Sequence, residues 1–404
     1  MANTILTPTM IAKEALMAFK NKLGFTSNVN KQYSEEFAVK GAKIGSSVTI
    51  RKPPRFTVSD GATLSNQDVT EESTSLSLDS QKHVAFKFSS SELTLSIDKF
   101  RERYIDNAVV ALANKVDMDG LQMAAQNVYS SVGAPGTTPS AALTYLQAQQ
   151  KLNEMGCPQD NKRSFHINPA AQTSLVDGLK GLFQSSEKIS EQYEKGIMGT
   201  ALGGKFYMAQ NIYAHTSGQR GGTPLTNGAT ASGASSIVTD GWTAGVANRV
   251  KKGDVFTLAG VYAVNPITKQ STGVLQQFVA TADAASDGAG AATIAISPSI
   301  VTSGSTQTVD AVPADNAALT FLSAVSTVNM NNILMHEDAF VLGCADLELP
   351  QGVHFAAVAS DPESGLSIRI VRAYDIAADS FPCRLDVLYG WKAVRPEWAC
   401  RVIG

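Results

Sequence analysis

The stretch GTALGGKF, Gly199 to Phe206, comes nearest to a catalytic motif in this chain. It has the Gly-x4-Gly-Lys spacing of a phosphate loop, in which backbone amides and a lysine cradle phosphates. Phe206 stands where a serine or threonine must hold magnesium. The loop should also open a helix whose N-terminal amides face the phosphate. KFYMAQNIYA follows instead, aromatic and strand-like. A glycine-rich turn leading into a strand is the better reading. His336-Glu337-Asp338 lacks the second histidine of a zinc-protease helix. Gly288-Ala289-Gly290 lacks the third glycine of a dinucleotide loop. No Gly-x-Ser-x-Gly elbow occurs. His83, His166, His215, His336 and His354 are scattered and read as local hydrogen-bonding residues. Cys157, Cys344, Cys383 and Cys400 form no Cys-x-x-Cys pair, which argues against a zinc site. They read as small buried apolar side chains in a reducing compartment. No catalytic, metal-ligating or cofactor-binding residue is assigned, and no cofactor is expected.

The chemistry that remains is ionic. Arg51, Lys52 and Arg55 cluster in RKPPR, and Glu71-Glu72 close a turn-rich acidic run. Arg101 and Arg103 lie on a long helical stretch, and Arg395 sits nine residues before the last position. As paired carboxylates, Glu71 and Glu72 read as a solvated or partner-facing patch rather than a general acid and base. These eight residues are the candidates for contact with another subunit; the competing reading is solvated surface charge. The formal net charge of −3 gives no general attraction to nucleic acid or an acidic membrane. No window approaches the ~20 apolar residues of a membrane span. The first residues have no basic segment leading into an apolar core, so no signal peptide and a cytoplasm-like location are expected.

With 404 residues, two or three domains should position these groups. Thr7 and Pro8 can open a helix carrying Ile11, Ala15, Ala18, Phe19 and Leu23 on one side, ended by Gly24. Period-two runs follow: Val48 and Ile50, Phe56 and Val58, then Leu76 and Leu78, then Val84, Phe86 and Phe88. They read as a long hairpin with an acidic tip, an arm that should lie across another domain or subunit because a lone two-stranded ribbon is unstable. Pro53 and Pro54 remove two ladder donors, which makes this part an edge or a bend. Residues from Ile97 to Tyr129 read as one long helix, capped by Ser96 or Asp98, with Phe100, Tyr104, Ala108, Leu112 and Val116 as its stripe. A helix from Thr138-Pro139 to near Gly156, a strand in RSFHINP, and a helix capped by Asn168 and opened by Pro169 come next. From about 216 to 328 the chain becomes rich in Gly, Ser and Thr with short strands, an all-β barrel or sandwich set inside an α+β protein. In the last strands, Leu385, Val387, Tyr389 and Trp391 share one side and Asp386 and Lys392 the other, with Leu388 suggesting partial cover there.

This order of parts resembles the major capsid protein of tailed bacteriophages, and more narrowly the coat proteins of short-tailed phages that carry an inserted β-barrel. The matching stretches are RKPPRFTVSDGATL, LANKVDMDGLQMAA, FHINPAA, VKKGDVFTLAGV and YGWKAVRPE. The resemblance implies the α+β fold of the Hong Kong phage type. Its parts would be an N-terminal arm (1–42), an extended loop (43–93), a peripheral domain with a spine helix (94–136), an axial domain (137–215 and 329–370), an inserted barrel (216–328) and C-terminal strands of the peripheral domain (371–404). It implies a non-enzymatic subunit of an icosahedral virion shell, built of hexamers and pentamers in the host cytoplasm. Implied partners are other copies, a scaffolding protein, a portal ring and packaged DNA bound without sequence specificity, with room for a decoration protein. A bacterial nanocompartment shell of the same fold is the alternative, and an enzyme with no recognisable motif is the rival from another class.

Overall fold

The structure, a computed structural model, describes residues 8–31, 47–56, 61, 66, 71–89, 105–179, 199–361 and 365–404. The chain divides into two compact units, one of Met1–Ile50, Ser73–Gly120 and Phe340–Val394, the other of Arg51–Glu72, Leu121–Ala339 and Arg395–Gly404.

In the first unit, the fourteen-residue strand Ser380–Ala393 pairs antiparallel with Phe340–Ala345, Leu366–Arg372 and Ser80–Ser89, and Leu366–Arg372 pairs on with Phe355–Asp361. Leu385, Val387 and Tyr389 are buried as their alternation predicts. Asp386, expected on the more open side, is buried too, because Arg369 and Arg384 reach its two oxygens at 2.8 and 2.6 Å. The helix Pro8–Lys22 packs on Phe355–Asp361 and Leu366–Arg372 through a stripe that includes Ala12, Ala15, Leu16 and Phe19. Ala18, expected on that stripe, is half-buried, and Leu16 takes its place. The long helix Asp106–Asn127 buries Ala108, Leu112 and Val116 as predicted. Its expected start, with Ser96, Asp98, Phe100 and Tyr104, lies outside the described residues, as do Thr7 and Val58.

The hairpin differs from the sequence reading. The outgoing strand is only Ser47–Arg51, and it pairs with Ser73–Ser77. Pro53 and Pro54 carry no N–H and follow directly on the end of that ladder. Val84, Phe86 and Phe88 do not pair with the outgoing strand. They belong to Ser80–Ser89, which runs in register with Ser380–Tyr389 over ten residue pairs, far more ladder than a five-residue arm can offer.

The second unit contains two sheets. In one, Ala399–Ile403 lies between Ser131–Gly133 and Val328–His336, followed by Arg163–Ile167, Gly204–Met208 and Thr200–Ala201. The helix Ala142–Glu154 covers it, and Tyr145, Leu152, Phe165, Phe206, Leu334 and Val402 share one buried cluster. Asn168 Oδ1 accepts the Ala171 N–H at 2.9 Å, so the predicted cap before Pro169 is present. The last strand therefore does not join the sheet expected of it. Every residue of Ala399–Ile403 is buried in the second unit's sheet, where strands on both sides satisfy its backbone. In the other sheet the order is Leu319–Phe321, Val255–Val264, Ser271–Ala280, Ala292–Ile300, Ala234–Trp242, Gly222–Thr226. A bridge between Leu225 and Ala318 joins its outer strands, so the sheet nearly closes around Ile237, Trp242, Phe256, Phe278 and Ile294. The chain enters this region and leaves it side by side: Thr216 pairs with Val328, and the Ser217 N–H donates to the Thr327 carbonyl at 3.0 Å.

Candidate subunit-interface site

Past the outgoing strand, residues 52–56 belong to no ladder; Arg51 and Arg55 are exposed there and Lys52 is half-buried. The Lys52 N–H donates to the Glu72 carbonyl at 2.8 Å, which sets the two arms of the segment opposite each other. Arg51 then meets Glu71 at 3.3 Å and Lys52 meets Glu72 at 3.5 Å. Arg55 reaches Glu397 at 3.1 Å, and Arg395 lies over the Trp398 ring, 4.1 Å from its centroid. Six of the eight candidates are thus described, and each has a partner in its own chain. Arg101 and Arg103 lie outside the described residues.

The pairs differ in how much water they see. The Arg51 side chain is 77% exposed and Glu71 48%, whereas Glu397 is 15% exposed. Exposed pairs contribute ~0–1 kcal/mol each. Below them, burial pushes the Tyr129 phenol well above its ordinary range; the Glu397 charge adds to that and Arg55 opposes it. Tyr129 stays neutral there.

The motifs that looked catalytic resolve into structure. Thr200–Ala201 and Gly204–Met208 form a hairpin, with the Phe206 N–H donating to the Gly199 carbonyl at 2.9 Å. That is the turn-into-strand reading, not a phosphate loop. His336 lies 3.0 Å from Asp160, edge-on to Trp398. All four cysteines are free and buried. Burial pushes the Cys157 and Cys383 thiols up to about 11 and those of Cys344 and Cys400 to about 12, which keeps them protonated and inert. Among the described residues, no group of three or more His, Cys, Asp or Glu could hold a metal, and no helix is long and apolar enough to cross a membrane.

Two clusters went unread in the sequence. The first is DMDG within the long helix. Asp117 accepts the N–H groups of Gly24, Phe25 and Thr26 at 2.7, 3.2 and 3.0 Å and the Thr26 hydroxyl as well. Asp119 accepts the Tyr389 hydroxyl at 2.6 Å. A Cβ on Gly120 would stand 2.6 Å from the Trp391 ring and 2.9 Å from Phe25. One helical turn therefore fixes both residues 24–26 and the strand Ser380–Ala393. The second is the root of the nearly closed sheet. Asp254 meets His215 at 2.9 Å and accepts the N–H groups of Gly218 and Lys251, each at 3.0 Å. Burial works against that carboxylate, but the His215 hydrogen bond and the Arg220 charge outweigh it and lower its pKa. The sequence signals were faint: two acids two apart in a helix, and a turn-like Gly253-Asp254.

The family model described as "P22 coat protein - gene protein 5" matches residues 1–404. No curated protein matches the chain. Among solved structures, the chain is similar to one from Mycobacterium phage Che8 at 14% identity, covering 94% of this chain and 90% of that one with a TM-score of 0.50. It is also similar to the capsid of Ralstonia phage GP4 (8% identity, 95% and 91% covered, TM-score 0.49) and to the mature capsid of bacteriophage PhiM1 (10%, 94% and 86%, 0.45). At such identities the likeness is one of fold, and of these three the Che8 structure carries it.

Proposed function

The chain belongs to the P22 coat protein family, and from that premise we infer that it is the major capsid protein of a tailed bacteriophage, a structural subunit of the virion shell. The observation that carries this reading is the family match over residues 1–404, joined by a likeness of fold that covers 94% of the chain. The finer picture is our proposal. Copies close into hexamers and pentamers on a scaffolding protein, with a portal ring at one vertex, and the finished shell encloses double-stranded DNA without reading its sequence. A net charge of −3 supports that last point, since a wall with no basic excess has little hold on packed DNA. Residues 216–328 act as an inserted barrel. The adjacent Thr216 and Val328 support this, because a segment whose ends meet is readily inserted between two residues of a host fold.

Arg51, Lys52 and Arg55, with Glu71, Glu72 and Arg395, then serve as contacts to neighbouring copies. Their weak, water-exposed pairing supports that role, since little stability is lost when they change partners. The test is expression of the chain with and without its scaffolding protein, followed by negative-stain microscopy. Closed particles of uniform size are expected with the scaffold. A stable small oligomer under both conditions would overturn the shell reading and favour the enzyme rival. Particles formed without scaffold around a co-purifying enzyme would favour the nanocompartment.

A further inference from the structure

Beside the charge pairs, the second unit carries an open groove of about 770 Å³, lined among others by Arg55, Phe56, Ile267, Lys269, Arg395 and Trp398. Among the described residues no carboxylate lines it. Phe56 is 62% and Ile267 76% exposed, so its apolar part is uncovered. Arg55 has Glu397 as its partner, but Lys269 donates to the Ser305 carbonyl and Arg395 stacks on Trp398. Neither has a carboxylate partner among the described residues. Among the described residues the groove therefore holds more positive charge than is balanced. Burial, and after it the Arg55 charge, lowers the pKa of Lys269.

The first unit has a surface of the opposite character. Strand register places loops 346–354 and 373–379 at the same end of its sheet: Ala345 faces Leu388, Phe355 faces Arg372, and Arg372 faces Cys383. His354 and Tyr374 both contact the Phe381 ring there. Ile376 is 84% exposed, with Leu349 and Tyr374 exposed near it. Asp346, Glu348, Asp375 and Asp379 are exposed around them. The cations nearby are engaged: Arg372 over Phe381, and Arg369 and Arg384 on Asp386. The 373–379 loop is also shaped in advance. Asp375 Oδ1 accepts the Ala377 N–H at 3.0 Å, the Asp375 N–H donates to the Ser380 carbonyl at 2.9 Å, and the Tyr374 hydroxyl donates to Asp379 at 3.0 Å. A preformed loop loses little entropy on docking.

We propose that the groove receives the Tyr374–Asp379 loop of a second copy, with Ile376 entering between Phe56 and Ile267 and with Asp375 and Asp379 meeting Lys269 and Arg395. This rests on the reading that the chain assembles with copies of itself. It names both partners of one contact, and the match is of sign and of apolar exposure together. The contact buries three large apolar side chains that are uncovered in the single subunit, Phe56, Ile267 and Ile376, and gives two cations counter-charges.

The test uses the full chain with its scaffolding protein. One variant reverses the groove, Lys269→Glu with Arg395→Glu; the other reverses the loop, Asp375→Lys with Asp379→Lys. Each alone should stay soluble with an unchanged circular dichroism spectrum, and shell yield should fall about tenfold or more, the effect of ~1.4 kcal/mol at one contact. The two variants expressed together should recover shells. For a readout independent of folding margins, Ile267→Cys and Ile376→Cys chains are co-assembled and oxidised, and a cross-linked dimer band should form. If the wild-type chain makes no shells, the shell reading fails. If wild type makes shells and both variants match its yield, or the cysteines in intact shells stay uncoupled, this contact is wrong. It is equally wrong if a single chain carrying both cysteines cross-links only to itself, or if the groove variant weakens binding to duplex DNA while shell yield holds.

Discussion

Asp117 and Glu71 both hold a crossing of the chain, and they do so in opposite ways. Asp117 is 6% exposed and gathers three backbone N–H groups and a hydroxyl from residues 24–26. Glu71 is 48% exposed and touches one guanidinium at 3.3 Å. The first carboxylate has replaced all of its water with directed donors, so removing it strands those donors in the interior. The second keeps most of its water, so removing it changes little within the subunit. The difference separates what makes the fold from what is left over for assembly. The interior carboxylates Asp117, Asp254 and Asp386 are each held by several donors of the chain, while Arg51 and Glu71 share one weak, exposed pair.

The sharpest way to break this comparison is at Gly120. A Cβ there would stand 2.6 and 2.8 Å from two Trp391 ring atoms and 2.9 Å from Phe25. Gly120→Val should yield no soluble subunit. Gly120→Ala gains ~1 kcal/mol of helix propensity but is overpacked by ~1–3 kcal/mol or more against rigid rings, so a lower Tm is expected. Pairing Gly120→Ala with Trp391→Leu should recover part of the loss, and strict additivity in the double-mutant cycle would refute the contact. Asp117→Ala comes next, with roughly 3 kcal/mol or more lost in urea unfolding, because no group remains to take the three N–H bonds. Asp117→Asn should fall between, since one acceptor oxygen survives. Tyr389→Phe removes a single bond to Asp119, and about 1 kcal/mol is expected.

Acid should act on both units through buried carboxylates. Burial opposes ionisation of Asp386, but hydrogen bonds from Arg369 and Arg384 outweigh it and lower the pKa below the ordinary 3.8. Asp254 is lowered in the same sense through His215 and Arg220. A carboxylate with a depressed folded pKa contributes stability that is fully present above its unfolded value. That stability is lost as pH falls through the folded value. Thermal melts should therefore be flat with respect to these groups above about pH 5 and drop below about pH 4. Asp386→Asn should be less stable at pH 7 and lose less on acidification. An unchanged slope would show that other groups carry the acid response.

These sites also show what a sequence displays. Alternation in RLDVLYGWKA announced a strand with Leu385, Val387 and Tyr389 inside, because burial on one face is a local pattern. Asn168-Pro169 announced a helix start, because a cap is a local bond. The turn in GTALGGKF was readable because Phe206 broke the phosphate-loop pattern. What stayed hidden depends on partners far along the chain. Asp117 meets residues about ninety positions away, and Tyr389 meets an acid 270 positions away. The partner of Ser80–Ser89 was misread for the same reason: period two predicts a strand but not its neighbour. The last strand was placed in the wrong sheet because nothing in ACRVI distinguishes one buried sheet from another. Of the interface candidates, the charge cluster in RKPPR was visible, whereas nothing local marks Glu397, which meets Arg55 from 342 positions away.

The smallest effect on the isolated subunit is expected where assembly should suffer most. Arg51→Glu with Arg55→Glu reverses the basic side of the exposed pairs. Losing Arg51–Glu71 at 77% and 48% exposure should change subunit stability by ~0.5 kcal/mol, and losing Arg55–Glu397 by at most ~1 kcal/mol. Unfolding curves of variant and wild type should nearly overlay. Shells should nevertheless be missing from the variant, because each reversed charge meets a neighbour's surface many times in a closed lattice and the penalties sum over copies. The reading requires both halves of the result. A variant that unfolds early would mean that these pairs belong with Asp117 as makers of the fold. A variant with normal shells would mean that they are solvated charge and that the work of association lies elsewhere on the subunit. Salt gives an independent check: exposed contacts are screened within ~8–10 Å at physiological ionic strength, so wild-type assembly through them should weaken as salt rises while subunit melting stays put.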